Sequence, residues 1–232
     1  MQSSCSRRGI SLLEMMIAVA LLAVLFAAVF ASLHQMSRAM SGEIASTVLN
    51  QETVRGLERM TEKLRPSRIQ NLADAGGPNL EFFLPVDADQ DGDTLDANLK
   101  IEWGQRGPQG VKLNAVSVIR FVKSSTYSEA AQKYDLNRDG DKSDNFDIGR
   151  LEEALYPGAT LTGTPTMTRP ITPDIVVQMT GNALADLNGD GVSDPLFHDD
   201  GGRLRIRLFV TRIDESNPRF QLFETSVALY NR

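Results

Sequence analysis

Three segments of this chain repeat one arrangement of oxygen-bearing side chains: Asp87-x-Asp89-x-Asp91-Gly92, Asp135-x-Asn137-x-Asp139-Gly140 and Asp186-x-Asn188-x-Asp190-Gly191. Oxygens at the first, third and fifth positions converge on one point when a glycine at the sixth lets the backbone turn sharply, which supplies much of the hard-oxygen cage a calcium ion takes. The seventh residue, Asp93, Asp141 or Val192, offers a backbone carbonyl, and a later carboxylate, Asp96, Asp144 or Asp194, closes each set. The expected cofactor is calcium, at up to three sites. Asp, Asn and Gly are also ordinary turn residues, so a solvated turn is the competing reading of a single copy. Three copies with the same internal spacing favour metal.

These loops depart from the helix–loop–helix calcium motif. That motif needs Glu at its twelfth position, where this chain has Asn98, Phe146 and Phe197. The flanking residues also read as strand or loop. The segments instead resemble the shorter acidic calcium loops of integrin-like and thrombospondin-like repeats. Their starts lie 48 and 51 residues apart, yet the intervening residues do not match. They therefore read as independent insertions between strands. Ordering such loops costs backbone entropy, which bound metal offsets, so the expected role of calcium is structural.

A second chemical feature lies at the N-terminus. Arg7-Arg8-Gly9-Ile10-Ser11-Leu12-Leu13-Glu14 leads into an apolar run from Met15 to Leu33, 19 residues long. About 20 apolar residues span a bilayer core as a helix. A carboxylate in such a segment costs roughly 2.5–3.5 kcal/mol on insertion scales, so Glu14 calls for a function. The pattern of basic leader, Gly, aliphatic residue, three residues and Glu resembles the amino-terminal signal of the type IV pilin family. The resemblance implies that prepilin peptidase cleaves between Gly9 and Ile10 and that Ile10 becomes N-methylated; the family usually has Phe at this position. It also implies that Glu14 meets the N-terminal ammonium of a neighbouring subunit and sets the register of one helix against the next. Three other readings compete: a secretory signal cleaved after Ala31, a twin-arginine export signal carried by Arg7-Arg8, and a plain anchor to which Glu14 is incidental. A charge at the start of the apolar stretch is unusual for a cleaved signal.

The elements that must position these groups follow from periodicity. Ile44, Val48, Val54, Leu57, Met60 and Leu64 form an apolar stripe at mostly helical spacing, with Glu43, Gln51, Glu52, Arg55, Glu58 and Arg59 opposite. Pro66 ends the pattern. Beyond it, Leu80–Val86, Leu99–Trp103, Val116–Val122 and Ile175–Met179 read as short strands. Leu204, Ile206, Leu208 and Val210 alternate with Arg203, Arg205, Arg207 and Phe209, the period of a half-buried strand, and Phe220–Tyr230 reads as its return. The fold class expected is α+β: a long N-terminal helix, transmembrane in its first half, packed on an antiparallel sheet. The expected organisation is a leader at 1–9, a membrane or filament-core helix at 10–33, its amphipathic continuation at 34–66, and a head at 67–232. The tail Val227–Arg232 resembles the closing strand of PilW-like minor pilins.

Charge and cysteine exclude several function classes. The net charge of −6, falling to −8 without Arg7 and Arg8, argues against nucleic acid, whose binders carry a basic footprint. The single cysteine, Cys5, lies in the leader, so the mature chain holds no disulfide. No nucleophile motif or phosphate-binding loop is present, and His34 and His198 are far apart. His198 beside Asp199 and Asp200 reads as a solvated acidic turn. An enzyme is not expected. The leader arginines place the N-terminus on the cytoplasmic side: a single-pass inner-membrane protein with a periplasmic head before assembly, and a pilus or pseudopilus component after it. The expected partners are other pilin or pseudopilin subunits, the prepilin peptidase and an inner-membrane assembly platform. The rival from another class is an exported, soluble calcium-dependent binding or adhesive protein released after Ala31.

Overall fold

A computed structural model describes residues 12–72, 79–124, 148–177, 185–212 and 219–229. The chain divides into two units, Met1–Val48 and Leu49–Arg232.

In the first unit the described residues lie on helix α1, which runs Leu12–Leu64. From Leu12 to Leu33 its large apolar side chains are each at least 51% exposed. An apolar surface of that extent marks a membrane or protein contact. By length and composition this helix is apolar and long enough to cross a membrane.

In the second unit the end of α1 packs on a sheet of eleven strands, as the α+β expectation required. The strands are β1 (Arg68–Leu72), β2 (Leu80–Pro85), β3 (Trp103–Gly107), β4 (Gly110–Leu113), β5 (Ser117–Lys123), β6 (Ile148–Leu155), β7 (Met167–Pro170), β8 (Val176–Val177), β9 (Phe197–Asp199), β10 (Arg203–Arg212) and β11 (Arg219–Ala228). Their main order is β11-β10-β8-β6-β5-β2-β3-β4, with β1 on β2, β7 on β6 and β9 on β10. Every pairing is antiparallel.

The helix stops where Pro66 requires. Ser67 donates both its backbone N–H and its hydroxyl to the Leu64 carbonyl, at 3.1 and 2.7 Å, closing one of the carbonyls a helix end leaves unpaired. The buried stripe differs from the one the apolar residues suggested. Ile44, Val48 and Val54 are 61%, 50% and 43% exposed, whereas Leu49, Thr53, Leu57, Met60 and Leu64 are buried. Thr53 and Gly56 hold places on the inward face that a count of apolar residues skips. Thr53 satisfies its hydroxyl internally on the Leu49 carbonyl at 2.8 Å. At Gly56 an added Cβ would stand 2.9 Å from Thr172 Cγ2, so glycine is what lets the helix approach the turn after β7.

Leu80, Phe82, Ile119, Leu151, Val176, Leu204, Ile206, Leu208 and Val210 form the core under this helix. A smaller cluster, Val116, Val118, Ala154 and Tyr156, packs with Phe83 and Leu161. On β6, Glu152 is 6% exposed and meets Arg120 Nη2 at 2.8 Å. Its neighbour Glu153, 3% exposed, forms an ion pair with Lys63 of the helix.

Several strand expectations change. Leu99 to Trp103 is not a strand: Leu99 is 80% exposed in the left-handed region at φ 58°, and only Ile101 bridges, to Leu95. The strand starts at Trp103. Of Ile175–Met179, Val176–Val177 is strand, and the end of the range lies outside the described residues, as does Tyr230. Phe209, grouped with the outward arginines by alternation, is 7% exposed because its ring stacks on Phe220 at 5.4 Å.

Candidate functional site

Two of the three acidic loops lie among the described residues. The first connects β2 to β3, and the second precedes β9. They fold alike despite unrelated flanks. In the first, Gly92 N–H donates to Asp87 Oδ2 at 3.2 Å, Asp91 N–H to Asp89 Oδ1 at 3.3 Å, and Asp93 N–H to Asp91 Oδ1 at 3.0 Å. In the second, Gly191 N–H donates to Asp186 Oδ2 at 2.9 Å, Asp190 N–H to Asn188 Oδ1 at 2.9 Å, and Val192 N–H to Asp190 Oδ1 at 2.8 Å. The fourth and sixth positions have positive φ in both: 65° and 102° at Gln90 and Gly92, 77° and 82° at Gly189 and Gly191. The shared spacing therefore encodes a shared backbone, with glycine at the sixth position because L side chains disfavour that conformation.

The loops differ in what closes them. In the first, the backbone folds back on itself: Val86 N–H donates to the Glu102 carbonyl at 2.9 Å, and Glu102 N–H to that of Thr94 at 2.9 Å. This places Glu102 over the start of the loop, where Ala88 N–H donates to its Oε2 at 2.7 Å. Asp87, Asp89 and Glu102 each bring one carboxylate oxygen within 4.8 Å of the others. Asp87 Oδ1 is shielded from solvent and accepts no hydrogen bond, a costly state for a carboxylate oxygen. Three clustered carboxylates with one orphaned oxygen fit a hard divalent cation. This acidic cluster can hold a metal ion. Of the first loop's candidates, Asp87 and Asp89 belong to it; Asp91, Asp93 and Asp96 do not.

Asp91 and Asp93 accept turn amides, the latter from Leu95 at 2.6 Å. Asp96 Oδ1 accepts N–H from Lys100 at 2.9 Å and from Asn98 at 2.8 Å. The Lys100 amide, above all, holds its carboxyl below the ordinary carboxylate value against partial desolvation. A depressed folded pKa stabilises above the unfolded value, about 4, and that contribution is lost as pH falls through the folded one. The loop tip should therefore open on acidification below pH 4, seen as faster exchange of the Asn98 and Lys100 amides, and Asp96→Ala should remove that pH dependence.

In the second loop the late carboxylate is committed to protein. Asp194 Oδ1 lies 2.7 Å from Arg207 Nη1, and Oδ2 accepts Leu187 N–H at 2.8 Å. Arg207 also reaches Glu224 of β11 at 3.1 Å. A guanidinium thus stands beside the carboxylate that spacing assigned to metal, while Asp186, Asn188 and Asp190 face turn amides and one another. The third loop, with Asp135, Asn137, Asp139, Asp141 and Asp144, lies outside the described residues. His198 contacts Asp200 at 3.2 Å on an exposed turn that Arg205 also joins.

Glu102 is the residue sequence spacing missed. It is fifteen positions from Asp87, beyond any fixed loop motif, and its only local signal is an acidic residue immediately before a strand.

At the N-terminus, Glu14 lies in the first turn of α1 among exposed apolar residues. Gly9 and Ile10 lie outside the described residues. The prokaryotic N-terminal methylation motif, the signal of type IV pilins and pseudopilins, matches residues 5–30. The chain therefore carries a pilin-type signal that runs into a long apolar helix, and such a motif implies cleavage by a prepilin peptidase and assembly with other pilins, while the apolar helix is consistent with anchoring in a membrane. No curated protein and no solved structure matches the chain.

Proposed function

We propose that the chain is a minor pilin or pseudopilin subunit that enters a type IV pilus or a type II secretion pseudopilus through its N-terminal helix, with no catalytic activity of its own. The observation that carries this reading is the methylation motif over residues 5–30 leading directly into an apolar helix with Glu14 in its first turn. Before assembly the helix anchors the chain in the inner membrane with the head in the periplasm. Glu14 pairs with the ammonium of an adjacent subunit, and the exposed apolar side chains from Leu12 to Leu33 form the polymer contact. Mass spectrometry of the mature N-terminus tests the reading. A peptide beginning at methylated Ile10 is expected; a terminus at Ser32 would discard the anchor and favour a soluble exported protein.

The head is stabilised by calcium at the first acidic loop, held by Asp87, Asp89 and Glu102. The ion supplies positive charge that relieves carboxylate repulsion and satisfies Asp87 Oδ1. A ligand that binds only the folded state adds about 2.7 kcal/mol at one hundred times its dissociation constant. Saturating calcium should accordingly raise the melting temperature, and chelator should reverse the rise. Asp89→Asn and Glu102→Gln should abolish the response. Asp194→Asn should lower the melting temperature with and without calcium, since its partner is Arg207. A melting temperature indifferent to calcium and chelator would remove this part of the reading.

A further inference from the structure

The β11 end of the sheet is open among the described residues. Among the described residues β11 pairs with β10 alone, in an unbroken register from Arg203↔Ala228 to Arg212↔Arg219. It contains neither proline nor lysine, and an edge that is long, regular and unguarded is a template for another strand. The C-terminal turns of α1 flank this edge. Between them lies a cleft of about 590 Å3 whose apolar lining is Val54, Leu57 and Phe223; Val54, misplaced by the stripe expected from sequence, is 43% exposed here. Glu58, Glu62 and Glu224 also line it. Thr61 and Arg65 are shared with a second cleft of about 350 Å3, which adds Arg203 and Ser226. Residues 223–225 line one cleft and 226–228 the other, so together they form one groove along the strand, apolar in its middle and basic at the Ala228 end. Neither Arg65 nor Arg203 has an ion-pair partner among the described residues.

We propose that this groove accepts an extended segment of a partner protein as an added strand. Backbone hydrogen bonds to the free edge of β11 supply affinity, and alternate side chains supply specificity. Charge complementarity defines the partner's chemistry: apolar side chains for Val54, Leu57 and Phe223, and a carboxylate for the two unpaired guanidiniums. Because every pairing in this sheet is antiparallel, the added strand starts beside Ala228 and carries its acidic residue first. This inference rests on the head alone and stands or falls independently of the filament reading.

The test uses the full chain in detergent micelles and a fluorescent heptapeptide of alternating threonine and valine that begins with aspartate. Saturable binding is expected in anisotropy. Arg65→Glu and Arg203→Glu should each weaken it about tenfold or more, since hydrogen bonds to charged groups are worth that much, without changing the melting temperature. N-methylation of alternate peptide amides should abolish binding, a readout that leaves the protein untouched. Absence of saturable binding, or binding indifferent to both the arginine variants and N-methylation, would overturn the proposal. Self-association of the chain through this edge that the peptide does not compete away would overturn it in favour of a second copy as occupant.

Discussion

The Glu14→Val variant is expected to insert in the membrane still but to fail to enter filaments. Valine removes the only acidic side chain from the apolar stretch between Ile10 and Leu33, so insertion becomes more favourable. Under the filament reading the substitution leaves the ammonium of a neighbouring subunit buried without its counter-ion. Removing one partner of a buried pair costs about 3–5 kcal/mol, which corresponds to about a hundredfold or more in incorporation at equilibrium. Quantitative immunoblotting of sheared filaments against membrane fractions measures the ratio. Glu14→Gln should behave like the valine variant, because the loss is of charge and not of shape. Normal incorporation of either variant would remove Glu14 from the assembly mechanism.

The second large effect is expected in the head. Lys63→Met should lower its stability by about 3 kcal/mol, because Glu153 then remains buried without a counter-charge. Lys63 is one-third exposed, 33% against 3% for Glu153, so the loss belongs at the low end of the range for buried pairs. In a domain of this size it corresponds to a fall in melting temperature on the order of 10 °C. Glu153→Met should cost less, since a part-exposed lysine can reach water. The double variant should recover most of the loss, because a buried ion pair replaced by apolar groups of similar volume is often neutral or better. A double-mutant cycle by thermal melting reads the coupling directly. If the two substitutions simply add, the pair contributes nothing to holding the helix on the sheet.

β6 shows why part of the fold was hidden. Its sequence, Ile-Gly-Arg-Leu-Glu-Glu-Ala-Leu, carries two adjacent glutamates and reads as neither an apolar run nor a clean alternation. It is nonetheless a central strand, between β5 on one side and β7 and β8 on the other, because Arg120 and Lys63 reach its glutamates from other elements. Gly149 sits where a Cβ would stand 2.0 Å from the Val122 carbonyl oxygen, a requirement no local pattern announces. The β10–β11 hairpin was legible for the opposite reason. Its period of two puts Leu204, Ile206, Leu208 and Val210 into the core, all at 0% exposure, and side-chain alternation is a local property of extended backbone.

What the sequence determined by itself was therefore local and periodic. It specified the N-terminal signal, the long helix and its end before Pro66, the α+β class, and the turn conformation of the two described acidic loops, since each depends on neighbours a few positions apart. Tertiary structure alone decided which helix face is buried, because Thr53 and Gly56 face inward through contacts that hydropathy does not record. Of the two described loops, it decided which one gathers three carboxylates: the return of the backbone brings Glu102 to Asp87 and Asp89, while Asp194 pairs with Arg207. These outcomes turn on side chains far apart in the chain, and their electrostatics and packing exist only once the sheet has brought them together.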